Sequence, residues 1–117
     1  MKNPWDLKTQ MLGEISQNGG FVNCHAHFDK AYYITREGLD KSMVSMEEKW
    51  RMSDGIKRDS TVEDIKERIR RALDCLINQG CKLTCTFVDA YDVVGHKAID
   101  AALSVKEEYK DKIKLLT

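Results

Sequence analysis

Between Ser60 and Thr117 the chain alternates helix-period and strand-period apolar patterns, and this alternation restricts its fold more than any other feature. Ser60-Thr61-Val62-Glu63 has the form of a helix start, with Ser60 as the cap and Glu63 as its reciprocal partner. Val62, Ile65, Ile69, Ala72, Leu73, Leu76 and Ile77 then fall on one side of a helix, with Glu67, Arg68, Arg70 and Arg71 mostly off it. Gly80 stops this helix, and Cys81 to Val88, rich in β-formers, predicts the next strand. A second helix is expected from about Val94 to Tyr109, with Ala98, Ile99, Ala102, Leu103 and Val105 or Lys106 at its apolar margin. Asp111-Lys112 closes it, and Ile113 to Thr117 begins another strand. Upstream, Gly19-Gly20 breaks the chain before Phe21 to His25, whose apolar run predicts a buried strand. Strand, excursion, helix, strand, helix, strand is a βαβαβ order, which implies an α/β fold with parallel strands and right-handed crossovers.

The end of the first predicted strand carries the chemistry. Side chains alternate faces along a strand, so His25 and His27 point the same way, with Asp29 following them and Cys24 facing opposite. Two imidazoles two residues apart on a rigid strand form a two-toothed clamp for a divalent ion of zinc type, Zn or Fe. The same pair also suits a hydrogen-bonded surface arrangement without metal.

The stretch His25-Ala26-His27-Phe28-Asp29-Lys30, after the apolar Phe21-Val22, resembles the opening strand of the metal-dependent amidohydrolase superfamily, in particular its cytosine-deaminase-like branch. Thr84-Cys85-Thr86-Phe87-Val88-Asp89, followed by Val94-Gly95-His96-Lys97-Ala98-Ile99, looks like that family's second strand and helix. The resemblance therefore runs from Phe21 to the end of the chain and implies a partial TIM-type (β/α) barrel. It implies that His25 and His27 are metal ligands, and that Asp29, Lys30 and Asp89 support them from the second shell. The implied reaction is hydrolysis or deamination of a C–N bond in an amide, cyclic amide or amino-heterocycle by metal-activated water. Phe87 departs from the family pattern, standing where a histidine is often found. A complete barrel takes roughly 250 residues, and the ligands that later strands would supply have no counterpart here. His96, at a helix start, matches no ligand position and suits a solvated or capping role.

Composition narrows the alternatives. One domain over residues 1–117 is expected, and 42% hydrophobic with 32% charged residues suits a globular protein. Nineteen basic residues balance nineteen acidic ones, so charge gives no reason to expect nucleic acid or membrane as a partner. Met1 to Asp6 lacks the apolar core of a secretion signal, and the cytoplasm is the expected compartment. Cys24, Cys75, Cys81 and Cys85 are expected to be reduced and mostly buried. With neither Cys-x-x-Cys nor His-x-Glu, the cytidine-deaminase type of zinc site is excluded.

Two segments stand outside the βαβαβ frame. Residues 1–20 form a lead-in, helical or irregular, with Leu7, Met11, Leu12 and Ile15 at helical spacing. Residues 31–59 form an excursion in which Ser45 with Glu48 starts a helix. In a barrel such a segment lies at the catalytic face; Tyr32, Tyr33 and Trp50 either line a pocket there or pack the excursion down, the second being favoured. The expected partners are a small-molecule substrate and, because three strands leave open edges, a second copy or chain that completes the barrel. The alternative function is a non-catalytic assembly module.

Overall fold

The structure, a computed structural model, describes residues 3–117; Met1 and Lys2, at the start of the lead-in, lie outside them. The chain runs α1 (Leu7–Gln17), β1 (Phe21–Ala26), a 3-10 turn (Phe28–Lys30), α2 (Arg36–Asp40), α3 (Met46–Asp59), α4 (Val62–Asn78), β2 (Cys81–Thr86), α5 (Lys97–Tyr109) and β3 (Lys114–Leu116). The three strands form one parallel sheet in the order β1-β2-β3. The α/β class with parallel strands is thus as expected, in the form of a small three-stranded sheet.

The core lies between the sheet and the α4–α5 pair. Ile65, Ile69, Ala72 and Leu73 of α4 meet Ala98, Ala101, Ala102, Val105 and Tyr109 of α5, with Leu115 of β3 beneath. This is the predicted α4 stripe. In α5 the buried face turns slightly from the expected one: Ala101 is buried and Leu103 is exposed. The small alanines let α5 approach α4 closely, and they outrank the bulkier Leu103 in setting which side faces inward. Outside the core, Arg70 donates to both carboxylate oxygens of Glu108, at 2.8 and 3.0 Å.

Helix α4 starts one residue later than expected. Thr61 is its cap, accepting from Asp64 N at 3.1 Å, while the Asp64 carboxylate accepts from Thr61 N at 2.8 Å. Ser60 instead closes α3, its hydroxyl donating to Ile56 O at 2.7 Å. Ser45 caps α3 as expected, accepting from Glu48 N at 3.3 Å.

The first strand is not buried: Phe21 is 50% and Val22 58% exposed. It is an edge strand, and the face turned from the helices carries exposed Val22 and Leu116 beside half-buried Leu83 and Cys85. Cysteine burial also differs from expectation, with Cys81 buried, Cys85 intermediate, and Cys24 and Cys75 exposed. Cys24 lies on the uncovered edge strand, and Cys75 on the solvent side of α4. Gly20, at φ 80°, starts β1 where a Cβ would lie 2.8 Å from Gly80 O, so only glycine lets the two strand starts meet this closely.

Candidate metal centre

His25 and His27 sit where β1 ends. The ladder is irregular there: Asn23 pairs with Thr84 and Ala26 with Thr86, so three steps along β1 match two along β2. Such a slip re-aims side chains, and the backbone N–H of His25 bonds to its own neighbour, Asn23 Oδ1, at 3.1 Å. The two imidazoles nevertheless come together on one side, with Nε2 atoms 3.2 Å apart. Two nitrogens bound at 2.0–2.1 Å to one tetrahedral zinc ion stand about 3.3 Å apart. The donor pair therefore fits two corners of such a site, and it equally fits one imidazole N–H donating to the other ring.

Phe87, just past the end of β2, forms the wall beside this pair. Its ring centroid lies 4.8 Å from that of His25 and 5.9 Å from that of His27. An apolar face packed on both rings thus fills this position. Among the described residues no third His, Cys, Asp or Glu joins them into a ligand cluster. His96 precedes α5 as an exposed residue whose side chain makes no capping bond.

Asp29, Lys30 and Asp89 are brought together, but beside the histidines rather than against them. The strand ends at Ala26, and the 3-10 turn carries Asp29 into the interior, where it is 4% exposed, instead of keeping it in line with His25 and His27. Asp29 Oδ2 accepts from Asp89 N at 3.0 Å, and Lys30 Nζ pairs with Asp89 Oδ1 at 2.7 Å. Asp29 Oδ1, though buried, has no hydrogen-bond partner among the described residues. No hydrogen bond joins any of these three to an imidazole among the described residues, and the link is through the backbone of the turn. The ends of β1 and β2 are locked by Phe87 N donating to Ala26 O (2.8 Å) and Phe28 N donating to Thr86 Oγ1 (3.1 Å).

Three basic residues lie at or beside this cluster without having been expected there. Lys57 of α3 lies 2.9 Å from Asp89 Oδ2. Burial acts against the charged form of Lys57, yet its hydrogen bond to Tyr91 and its ion pair with Asp89 prevail and raise its pKa. Burial likewise opposes ionisation of Asp89, but Lys30 and Lys57 together hold its pKa below the ordinary value. Arg68 of α4 donates to Asp29 O (3.1 Å) and Ser60 Oγ (3.1 Å) and lies over the Tyr33 ring. Lys97 donates to the carbonyls of Lys57, Arg58 and Ser60 at 2.8–3.0 Å, capping the end of α3. The only sequence signal for these three was a basic residue near a helix end or on the margin of an apolar stripe.

The excursion behaves mostly as packing. Tyr32 and Tyr33 lie under Arg71 and Arg68 of α4, and Trp50 is exposed. An apolar groove of about 500 Å³ runs between α2 and α3, walled by Tyr33, Ile34, Leu39, Met52 and Ile56. Neither histidine lines it.

No protein-family model matches the sequence. The chain is similar to an uncharacterized protein of Haemophilus influenzae, 38% identical over 108 residues, which cover 92% of this chain and 39% of that protein. It is also similar to the N-isopropylammelide isopropyl amidohydrolase of a Pseudomonas species, 35% identical over 97 residues, covering 80% of this chain and 24% of that enzyme. The chain thus spans well under half the length of the curated relatives it matches. In class it is an α/β chain with partial similarity to a hydrolase acting on C–N bonds. No helix among the described residues is long and apolar enough to cross a membrane.

Proposed function

We propose that the chain is the N-terminal part of a metal-dependent amidohydrolase of the cytosine-deaminase-like branch, acting on a small amide, cyclic amide or amino-heterocycle. The observation that carries this reading is the 3.2 Å approach of the two Nε2 atoms at the end of a parallel strand. His25 and His27 would hold one divalent ion, zinc or iron, whose chemistry is to polarise water for attack on the C–N carbon. Phe87 packs beside both rings, which disfavours other histidine rotamers. The Asp29–Asp89–Lys30 cluster fixes the turn after His27, and so supports the ligand strand from behind.

Two further facts support a partial barrel. The partially similar Pseudomonas protein is an amidohydrolase, and the partly exposed face with Val22, Leu83 and Leu116 is what a barrel would fill with inward side chains. Further strands, from continued sequence or another chain, would cover that face and bring the remaining ligands.

Metal content per chain, by elemental analysis of protein in its native length, tests the reading. About one zinc or iron ion per chain, lost in the His25→Ala/His27→Ala variant while the fold persists, is expected. A folded wild type without metal would overturn it and favour the assembly module, in which the histidines only bond to each other. That second reading rests on Phe87 standing in the position of a ligand-type residue.

A further inference from the structure

No residue of α2 or α3 is buried, so apolar packing gives this hairpin little hold on the core. Tyr32 at one end takes φ 63°, a left-handed conformation that a bulky residue adopts only when its surroundings impose it. Ser60 at the other end is extended, at φ −67° and ψ 133°. Lys97 pins the second end through three carbonyls. Beyond that pin, one polar latch joins α3 to the loop after β2. Lys57 Nζ lies 2.9 Å from Asp89 Oδ2 and donates to Tyr91 Oη at 2.9 Å, and Tyr91 Oη donates to Asp54 Oδ1 at 2.6 Å.

Asp89 makes this latch more than a surface contact. One of its oxygens takes Lys57 and the other takes Lys30, while its backbone N–H holds Asp29. A single carboxylate thereby joins α3, the turn after His27 and the loop after β2. We propose that Lys57 is a positioning residue, which latches α3 to the ends of β1 and β2 and, by sharing Asp89 with Lys30, fixes the turn that follows His27. Without Lys57, Lys30 is the one ammonium left on the Asp89 carboxylate, which turns toward it or toward solvent. The inference rests on this geometry alone and stands whether or not the histidines hold metal.

Hydrogen exchange read by mass spectrometry, on the native-length protein, tests it. In Lys57→Met, exchange in residues 46–56 and in the turn 28–31 is expected to rise roughly tenfold, with α4 and α5 unchanged. Lys57→Arg, which keeps the charge, should restore most of the protection. Lys66→Met serves as control, because Lys66 forms a comparable ion pair with Glu108 away from this site. Unchanged exchange at 28–31 in Lys57→Met would overturn the proposal, as would a rise shared equally by α4 and α5, or the same pattern in the Lys66→Met control.

Discussion

Removing the Arg68 guanidinium should loosen the base of the site by a predictable amount. Arg68 donates to the backbone carbonyl of buried Asp29 and to the Ser60 hydroxyl, and its plane lies 4.9 Å from the Tyr33 ring centre. A hydrogen bond from a charged donor contributes about 1.5–3 kcal/mol and the cation–π contact about 0.5–1 kcal/mol. Freeing the long side chain returns up to about 2 kcal/mol of rotamer entropy, so the two bonds and the ring contact leave a net loss of about 1.5–5 kcal/mol for Arg68→Met, which keeps most of the apolar stem. Against a typical domain stability of about 5–15 kcal/mol this is a large fraction. Urea unfolding should show a lower midpoint with an unchanged slope. Arg68→Lys should recover less than half of the loss, since an ammonium cannot reach both acceptors in the fork geometry. A change below about 0.5 kcal/mol for Arg68→Met would mean that water replaces these contacts, and that Arg68 does not secure the turn after His27.

Thr84 is fully buried and its hydroxyl has no hydrogen-bond partner among the described residues, so Thr84→Val should be neutral or stabilise by up to about 1 kcal/mol in thermal unfolding. A loss above that size would show that the hydroxyl is bonded. The Arg70 fork, with help from Lys66, holds the Glu108 carboxyl down at about 2, against an ordinary 4.5. A depressed carboxyl stabilises the fold above its unfolded value, and that contribution is lost as pH falls from about 4.5 toward 2. Because the Glu108 side chain is 36% exposed, its share is about 1 kcal/mol rather than the full amount implied by the shift. The stability difference between wild type and Glu108→Gln should therefore shrink over that acid range, and a constant difference would contradict the assignment.

Tertiary context decided the helix start at residues 60 and 61. Ser60 and Thr61 are both capping residues with an acid three positions on, Glu63 or Asp64, so the sequence permits two frames. The structure selects Thr61 because Ser60 is held elsewhere, by Ile56 O and Arg68. In the same way, nothing local to Phe21 and Val22 distinguishes a central strand from an edge, and the exposure of both follows from what neighbours the strand.

Sequence alone determined the order and direction of the strands, the buried stripe of α4 and the pairing of His25 with His27. Each depends on a short-range period, about 3.6 residues for a helix and 2 for a strand, written in neighbouring residues. The histidines survived even the ladder irregularity beside them, because side chains two residues apart need only local backbone to meet. Tertiary structure alone decided that Phe87 faces both imidazoles, that Asp29 turns inward, and that Lys57 meets Asp89, Arg68 the carbonyl of Asp29 and Lys97 the end of α3. The physical reason is reach. A charged side chain declares only its need for water or an opposite charge, and which partner answers depends on where elements distant in sequence come to rest.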